Sequence, residues 1–212
     1  MFSKHVWHDR RHQAEVFATE EGAISGTMIA YEGAVTMINP RPEILLALYQ
    51  EGKIKRILAV KAVILTSDAI EVTRGLCAFV NYCRGLRRRS PLTIVAPAGT
   101  TISMEFLDSC CALLWGASDF EIRIAHLAPE ERLPLGKGWL RFRAGAEERP
   151  YLIVGTEKGR TLHYYDESHA GPVSPSDETG HERPNVTIRA AQVPSYLHYS
   201  RSILQARQGV EG

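Results

Sequence analysis

Two short apolar runs, each followed by a segment with helical spacing, constrain the fold of this chain most strongly. The runs are AVIL at residues 62–65 and LTIVAP at residues 92–97, and neither contains a charged side chain. A run that is apolar on both faces is typical of a strand in the middle of a covered sheet. Residues 71–86 and 100–115 both carry apolar residues at helical spacing. The chain is therefore predicted to form a mixed α/β layered fold.

The residues before the first run predict a hairpin and a helix. ISGTMIAY and AVTMIN are β-prone, and Glu32 and Gly33 between them suit a tight turn. An earlier strand is expected at residues 15–19. PRPEILLALYQEG then predicts a helix, since Pro42 suits a first turn and Gly52 an end.

From residue 119 onward the pattern changes to alternation of apolar and polar residues. Such alternation predicts a run of antiparallel strands, which comprise FEIRIAHL, WLRFRAG, YLIVGT and TLHYYD. Residues 167–185 are interpreted as a flexible loop. A last strand in VTIRAA and a helix near Pro194 are expected to complete the fold.

Length and composition suit one domain. The chain has 212 residues, of which 44% are hydrophobic, and a formal net charge of +1. We expect an N-terminal segment at residues 1–14, a single domain at residues 15–207 and a tail at residues 208–212. No apolar run is long enough to span a bilayer, and the N-terminus is too polar for a signal peptide. The four cysteines lie in apolar helical patterns without metal-site spacing. We therefore expect a soluble cytoplasmic protein without a membrane partner.

The central part of the chain resembles the metallo-β-lactamase fold, and within it the ribonuclease Z-like branch. In that branch a hairpin leads to a helix, a spacer of the I-x-x-I-x-A kind, a strand that ends in Thr, a metal loop and a helix that begins with Gly-Leu. Here the spacer is KIKRILAV, the strand ends at Thr66 and the helix carries Gly75 and Leu76. PLTIVAPAG nearly repeats the family's PLTIYGP-x-G. The resemblance covers about residues 20–166 and implies an αββα sandwich, shortened at the C-terminus.

The metal loop is where the sequence departs from this family. The family's Thr-His-x-His-x-Asp-His motif surrounds two zinc ions that activate a bridging water. Aligned on Thr66, the three histidine positions and the aspartate position hold residues of other kinds, which are Ser67, Ala69, Val72 and Glu71. Thr66, Ser67 and Asp68 are interpreted as caps of the following helix.

The family's later ligands are also replaced. Ala144, Gly145 and Ala146 stand where a histidine is expected, and Asp166 stands at the next ligand position. At most Glu71 and Asp166 remain as ligand-type residues. Because a zinc site needs several converging ligands, we predict that the ordinary dinuclear zinc site is absent and that the chain has no cofactor.

Two histidine clusters are alternative candidates for a metal site. His8 and His12 would share one face if the N-terminus were helical, with His5 and Asp9 nearby; we interpret them instead as part of a solvated segment. His163 is interpreted as a partly buried, hydrogen-bonded histidine. A relocated mononuclear site is the alternative, and its candidate ligands are Asp166, His169 and His181.

One dense basic patch lies between the first long helix and the second apolar run. It consists of Arg84, Arg87, Arg88 and Arg89. Guanidinium groups can bind two oxygens of a phosphate at once, so this loop is the candidate for a phosphate or nucleic-acid contact. A solvated face is the simpler interpretation.

Three functions from different classes follow. The first is a pseudoenzyme that keeps the fold without zinc and binds a protein partner, another copy of itself or a ligand. The second is a metal-dependent hydrolase, a phosphodiesterase or nuclease, with a remodelled mononuclear site. The third is a nucleic-acid-binding module that uses the arginine loop. Fold similarity cannot choose among them, because function resides in sites.

Overall fold

The computed structural model describes residues 3–9, 12–18, 24–31, 34–67, 70–100, 105, 120–144, 150–156, 161–165 and 186–189. Within these residues two β-sheets pack face to face, and helices cover the outer face of the first sheet. None of the described helices is long and apolar enough to cross a membrane.

The first sheet has seven strands in sequence order. They are β1 (Ser3–Asp9), β2 (His12–Ala18), β3 (Ile24–Tyr31), β4 (Ala34–Ile38), β5 (Val60–Ile64), β6 (Leu92–Pro97) and β7 (Ile122–Leu127). Neighbours are antiparallel from β1 to β4 and parallel from β4 to β7. The parallel strands β4 to β7 therefore all end at the same edge of the sheet.

The second sheet has five strands in the order β12, β11, β10, β9, β8. They are β8 (Leu133–Leu135), β9 (Gly138–Ala144), β10 (Pro150–Thr156), β11 (Thr161–Tyr165) and β12 (Val186–Arg189). The strands β8 to β11 form an antiparallel meander, and β12 pairs parallel to β11.

Three helices complete the described elements, and they are α1 (Pro42–Gln50), α2 (Ile54–Ala59) and α3 (Ile70–Gly85). In α1, Pro42 occupies the first turn, where its missing N–H is no loss. Ile44, Leu45 and Leu48 recur at helical spacing and are fully buried. They pack with Phe79 of α3 against the first sheet. The apolar residues at helical spacing thus form part of the outer of two hydrophobic cores.

The inner core lies between the sheets. From the first sheet it takes Ile38 and Ile64, and from the second Phe142 and Tyr164, all at most 1% exposed. Within residues 62–65, Ala62 and Ile64 face this inner core while Val63 and Leu65 face the helices. This two-sided burial explains why AVIL contains no polar residue.

Most predicted elements are present, but the predicted pairing of β7 is wrong. FEIRIAHL was expected in the antiparallel run, whereas β7 pairs in parallel with β6 in the first sheet. Its alternating pattern has another cause: among the described residues β7 is the last strand of that sheet, and its polar side chains Arg123 and His126 are exposed. Polarity at an edge strand reflects solvent access and does not report strand direction.

The N-terminal residues also differ from the prediction. His8 and His12 lie on two paired antiparallel strands and not on one helix, with His8 opposite Gln13. On β2, Glu15 is 2% exposed, accepts a hydrogen bond of 2.7 Å from Nη1 of Arg56 on α2, and forms an ion pair with Nη2 of Arg56 at 2.7 Å. The described part of the sheet therefore begins before residue 15, since residues 1–14 include β1 and the first three residues of β2. The long helix at residues 100–115, the loop at residues 167–185 and the helix near Pro194 fall outside the described residues, apart from positions 100 and 105.

Candidate functional site

The candidate site lies where the parallel strands β4 to β7 end. Ligands of α/β sheets bind outside the carboxyl ends of the parallel strands, where the following loops meet. The described residues of those loops are 39–41, 65–67, 98–100 and 128–131. This edge contains Thr66 and Ser67, which the resemblance in sequence aligns with the family's metal loop.

A reciprocal side-chain contact joins the first two of these loops. The amide nitrogen Nδ2 of Asn39 donates to the hydroxyl of Thr66 at 2.7 Å, and the backbone N–H of Thr66 donates to Oδ1 of Asn39 at 3.0 Å. Both residues are buried, and the backbone N–H of Asn39 donates to the carbonyl of Ile64 at 2.9 Å. Asn39 adopts a φ of 46°, a left-handed conformation that asparagine tolerates better than most residues. Neither polar side chain is left unsatisfied by burial.

Helix α3 is pressed against the same loop through Gly75. A Cβ atom added at Gly75 would lie 1.3 Å from the carbonyl oxygen of Pro40 and 2.9 Å from the Cα of Arg41. No side chain fits there unless the backbone moves. Leu76, the next residue, is fully buried in the helix-facing core. The Gly-Leu pair of the sequence thus sets how closely α3 approaches the strand ends.

The second sheet is tied to this edge by the loop after β7. The backbone N–H of Glu130 donates to the carbonyl of Phe142 on β9 at 2.8 Å. Its carboxylate forms ion pairs with Arg141 at 3.0 Å and with Arg143 at 3.4 Å. The carboxyl end of β9, near Ala144, therefore lies at the same edge as Thr66 and Ser67.

The structure places the predicted metal-motif residues only in part. Thr66 and Ser67 follow β5, and Glu71 and Val72 lie in the first turn of α3. Ala69, Asp166, His169 and His181 fall outside the described residues. Within the described part of the chain, no group of three or more His, Cys, Asp or Glu side chains is close enough to hold a metal ion.

Comparison with known proteins finds similarity in structure alone. No family model and no curated protein matches the chain. Among solved structures, the metallo-β-lactamase fold protein YhfI from Bacillus subtilis has a TM-score of 0.55 at 13% identity and covers 81% of this chain. The apo chemotaxis sensor ODP from T. denticola has a TM-score of 0.55 at 9% identity over 82% of this chain. The MIM-2 metallo-β-lactamase has a TM-score of 0.50 at 14% identity over 88% of this chain.

The chain has the metallo-β-lactamase fold. The fold class predicted from the sequence is thereby confirmed. The match spans 64% of the YhfI chain, 66% of the ODP chain and 80% of the MIM-2 chain. At these identities the similarity shows the fold and leaves the chemistry of the site to the residues themselves.

The arginine loop lies at the opposite end of this fold from the candidate site. Arg88 is 2% exposed and donates to four backbone carbonyls. Two of them are the carbonyls of Leu58 and Val60, at the amino end of β5, at 3.0 Å and 2.6 Å. Burial lowers the pKa of Arg88 from its ordinary value. Arg88 is therefore occupied inside the protein, and a basic surface on this loop would consist of Arg84, Arg87 and Arg89.

A stacked aromatic residue covers the outer face of the second sheet. A Cβ added at Gly155 would lie 2.1 Å from Cζ2 of Trp139, so the indole lies directly on the neighbouring strand. The guanidinium carbons of Arg132 and Arg141 lie 4.3 Å and 5.2 Å from the indole centroid. Arg141 also pairs with Glu130, so this stack adjoins the loop after β7.

His163 lies on the same outer face and is 2% exposed. It is paired with Ile153 of β10, which is paired in turn with Arg141 of β9. Burial, and then the charges of Arg143 and Arg141, lower the pKa of His163 from 6.5 to about 4. At neutral pH the imidazole is therefore uncharged.

Sequence reasoning did not single out Asn39 or Gly155. A signal for Asn39 was present, because an Asn-Pro pair directly after an apolar strand marks a turn. Gly155 lies inside a strand pattern, where an isolated glycine indicates close approach of another group. The identity of the approaching groups, Thr66 and Trp139, depends on the tertiary structure.

Proposed function

We propose that this protein is a catalytically degenerate metallo-β-lactamase-fold protein of the ribonuclease Z-like branch that acts by binding a partner or a ligand. The observation that carries the proposal is the loop between β5 and α3. Its position is held by the Asn39–Thr66 hydrogen bonds and by the contact of Gly75 with Pro40. These contacts need no metal ion. The loop therefore keeps its position without the metal-dependent chemistry of other proteins with this fold.

The side chains on this loop do not fit a dinuclear zinc centre. Zinc sites are built mainly from imidazole and thiolate groups, with carboxylates as additional ligands. Residues 66–72 contain hydroxyls and carboxylates but neither histidine nor cysteine. The hydroxyl of Thr66 is already hydrogen bonded to Asn39. No catalytic step through a metal ion is therefore assigned to this chain.

The similar structures support a role other than hydrolysis as readily as hydrolysis itself. One of them is described as a metallo-β-lactamase and another as a chemotaxis sensor. The fold is thus used both for catalysis and for sensing, and the residues of the site must decide between these roles. A site with a preserved frame and replaced ligand positions favours binding.

Two measurements on the full chain test this proposal. The melting temperature should be unchanged by chelator and by added zinc, because a metal that binds only the native state would raise it. The chain should not hydrolyse a generic phosphodiester such as bis(p-nitrophenyl) phosphate in the presence of zinc or manganese. Hydrolysis that is lost in Glu71→Gln and retained in Glu105→Gln would support the mononuclear hydrolase instead. Stoichiometric co-purification of a protein or small molecule with the intact chain would reveal the bound species.

A further inference from the structure

Strand β7 ends the first sheet with one side of its backbone unpaired among the described residues. Its pairing with β6 is regular over six consecutive residue pairs, without a bulge. The carbonyls of Glu121 and Leu127 accept hydrogen bonds from the β6 side at 2.9 Å and 2.8 Å. Because strand backbone groups alternate in direction, the N–H and C=O groups of the even-numbered residues, Ile122, Ile124 and His126, point away from β6.

One large apolar side chain of β7 is exposed, beside an exposed pair of opposite charges. Ile124, in the middle of the strand, is 40% exposed, and Ile122 on the same face is partly buried. Glu121 and Arg123 are both exposed and form a bidentate ion pair with each other at 3.0 Å and 2.8 Å. A straight edge strand with an exposed isoleucine is a template for pairing with another chain, unless proline, a bulge or an inward charge blocks it.

We propose that a second copy of this chain pairs with β7 in antiparallel orientation about a two-fold axis at Ile122. The direction of the free backbone groups allows a centre at any residue of β7, and a centre beyond residue 124 moves Glu121 past the end of the partner's β7. A centre at 123 places Arg123 opposite the partner's Arg123, which is repulsive. A centre at 124 places no opposite charges together. A centre at 122 places Glu121 opposite the partner's Arg123, and the two-fold symmetry repeats this pair.

The register centred on Ile122 is consistent with the backbone as well. Ile122 then forms a hydrogen-bonded pair with the partner's Ile122, while Glu121 and Arg123 occupy the positions where cross-strand side chains approach most closely. Ile124 becomes the diagonal neighbour of the partner's Ile122, which removes its exposed surface from water. In this register the same residues of both copies contact one another, as in the isologous interface of a two-fold dimer.

Charge reversal tests this register through mixing. Glu121→Arg and Arg123→Glu each create two like-charged cross-strand pairs, so each variant alone should dimerise about tenfold more weakly than the natural chain. When the two variants are mixed, every cross-strand pair becomes attractive, and the heterodimer should form about as tightly as the natural dimer. Analytical ultracentrifugation over a concentration series, with one variant fluorescently labelled, measures both effects. Circular dichroism checks that each variant is folded.

The backbone part of the proposal has its own test. Ile124→Pro removes an N–H that points away from β6, and an edge strand tolerates proline at such a position. This variant should remain folded and monomeric, while the matched variant Ile124→Val should still dimerise. A natural chain that is monomeric at all concentrations, or a mixture of the two charge variants that stays monomeric, would overturn the proposal. The proposal does not depend on the metal content of the cleft.

Discussion

Replacement of Gly75 by alanine tests how the candidate site is held together. The new Cβ would lie 1.3 Å from the carbonyl oxygen of Pro40, whereas real contacts of this kind are essentially never under 3.0 Å. The start of α3 and the loop after β4 must therefore separate by more than an ångström. The hydrogen bonds between Asn39 and Thr66, at 2.7 Å and 3.0 Å, join this same loop to the end of β5.

The expected cost combines overpacking with the loss of these hydrogen bonds. Overpacking of a filled core typically costs about 1–3 kcal/mol, and each buried hydrogen bond contributes roughly 1 kcal/mol net. Gly75→Ala should therefore lower the free energy of unfolding by about 3–5 kcal/mol. This is a large fraction of the roughly 5–15 kcal/mol that is usual for a domain.

The same helix provides a matched control. A Cβ added at Gly85, the last residue of α3, would have no heavy atom within 4 Å, and the φ of Gly85 is not left-handed. Gly85→Ala should stabilise the chain by up to about 1 kcal/mol, because alanine favours the helix and restricts the unfolded state. Urea unfolding followed by circular dichroism measures both variants. Equal free energies of unfolding for the two variants would refute the close contact between α3 and Pro40.

Three further predictions concern buried polar groups. The pKa of His163 is lowered from 6.5 to about 4, so between these pH values the unfolded state binds more protons than the folded state. About 3 kcal/mol of the free energy of unfolding is therefore lost as the pH falls from 6.5 to about 4. The free energy of unfolding of His163→Leu should depend less on pH than that of the natural chain. In a double-mutant cycle of Asn39→Leu and Thr66→Val, each single change should cost about 1–3 kcal/mol and the double change less than their sum. Arg88→Lys should cost about 1–3 kcal/mol, because three ammonium donors cannot serve four carbonyls, whereas the exposed Arg87→Lys should stay within about 0.5 kcal/mol in denaturant titrations. A pH-independent difference for His163→Leu, additive changes in the cycle, or equal stabilities of the two arginine variants would contradict the respective predictions.

The sequence predicted those parts of the fold that depend on local periodicity. The buried strand at Ala62 to Leu65 and the helix after it follow from hydrophobic pattern together with segment length, because a run of four apolar residues suits a strand and sixteen residues at helical spacing suit a helix. The direction of β7 could not be predicted in this way. Alternation of apolar and polar residues indicates which face of a strand is exposed to solvent, but not which strand it pairs with. The role of Arg88 was hidden for a related reason. Nothing in an RGLRRRS run distinguishes an arginine that turns inward toward backbone carbonyls from its exposed neighbours.

The site itself was predictable only where residue identity decides chemistry. That Ser67, Ala69 and Val72 carry no imidazole is a property of the sequence. The contacts that hold the loop, from Asn39 to Thr66 and from Gly75 to Pro40, join residues at least 27 positions apart. Contacts over such separations arise from tertiary packing, which a single sequence does not specify residue by residue.

The metal content of the purified chain tests the central claim most directly. The protein is expressed in medium that contains zinc and iron, purified without chelator, incubated with excess zinc and freed of unbound metal by gel filtration. Inductively coupled plasma mass spectrometry then gives the number of metal ions per chain. If the dinuclear metal site is absent, the purified chain should contain no stoichiometric zinc or iron. Two tightly bound ions per chain would contradict the proposed function.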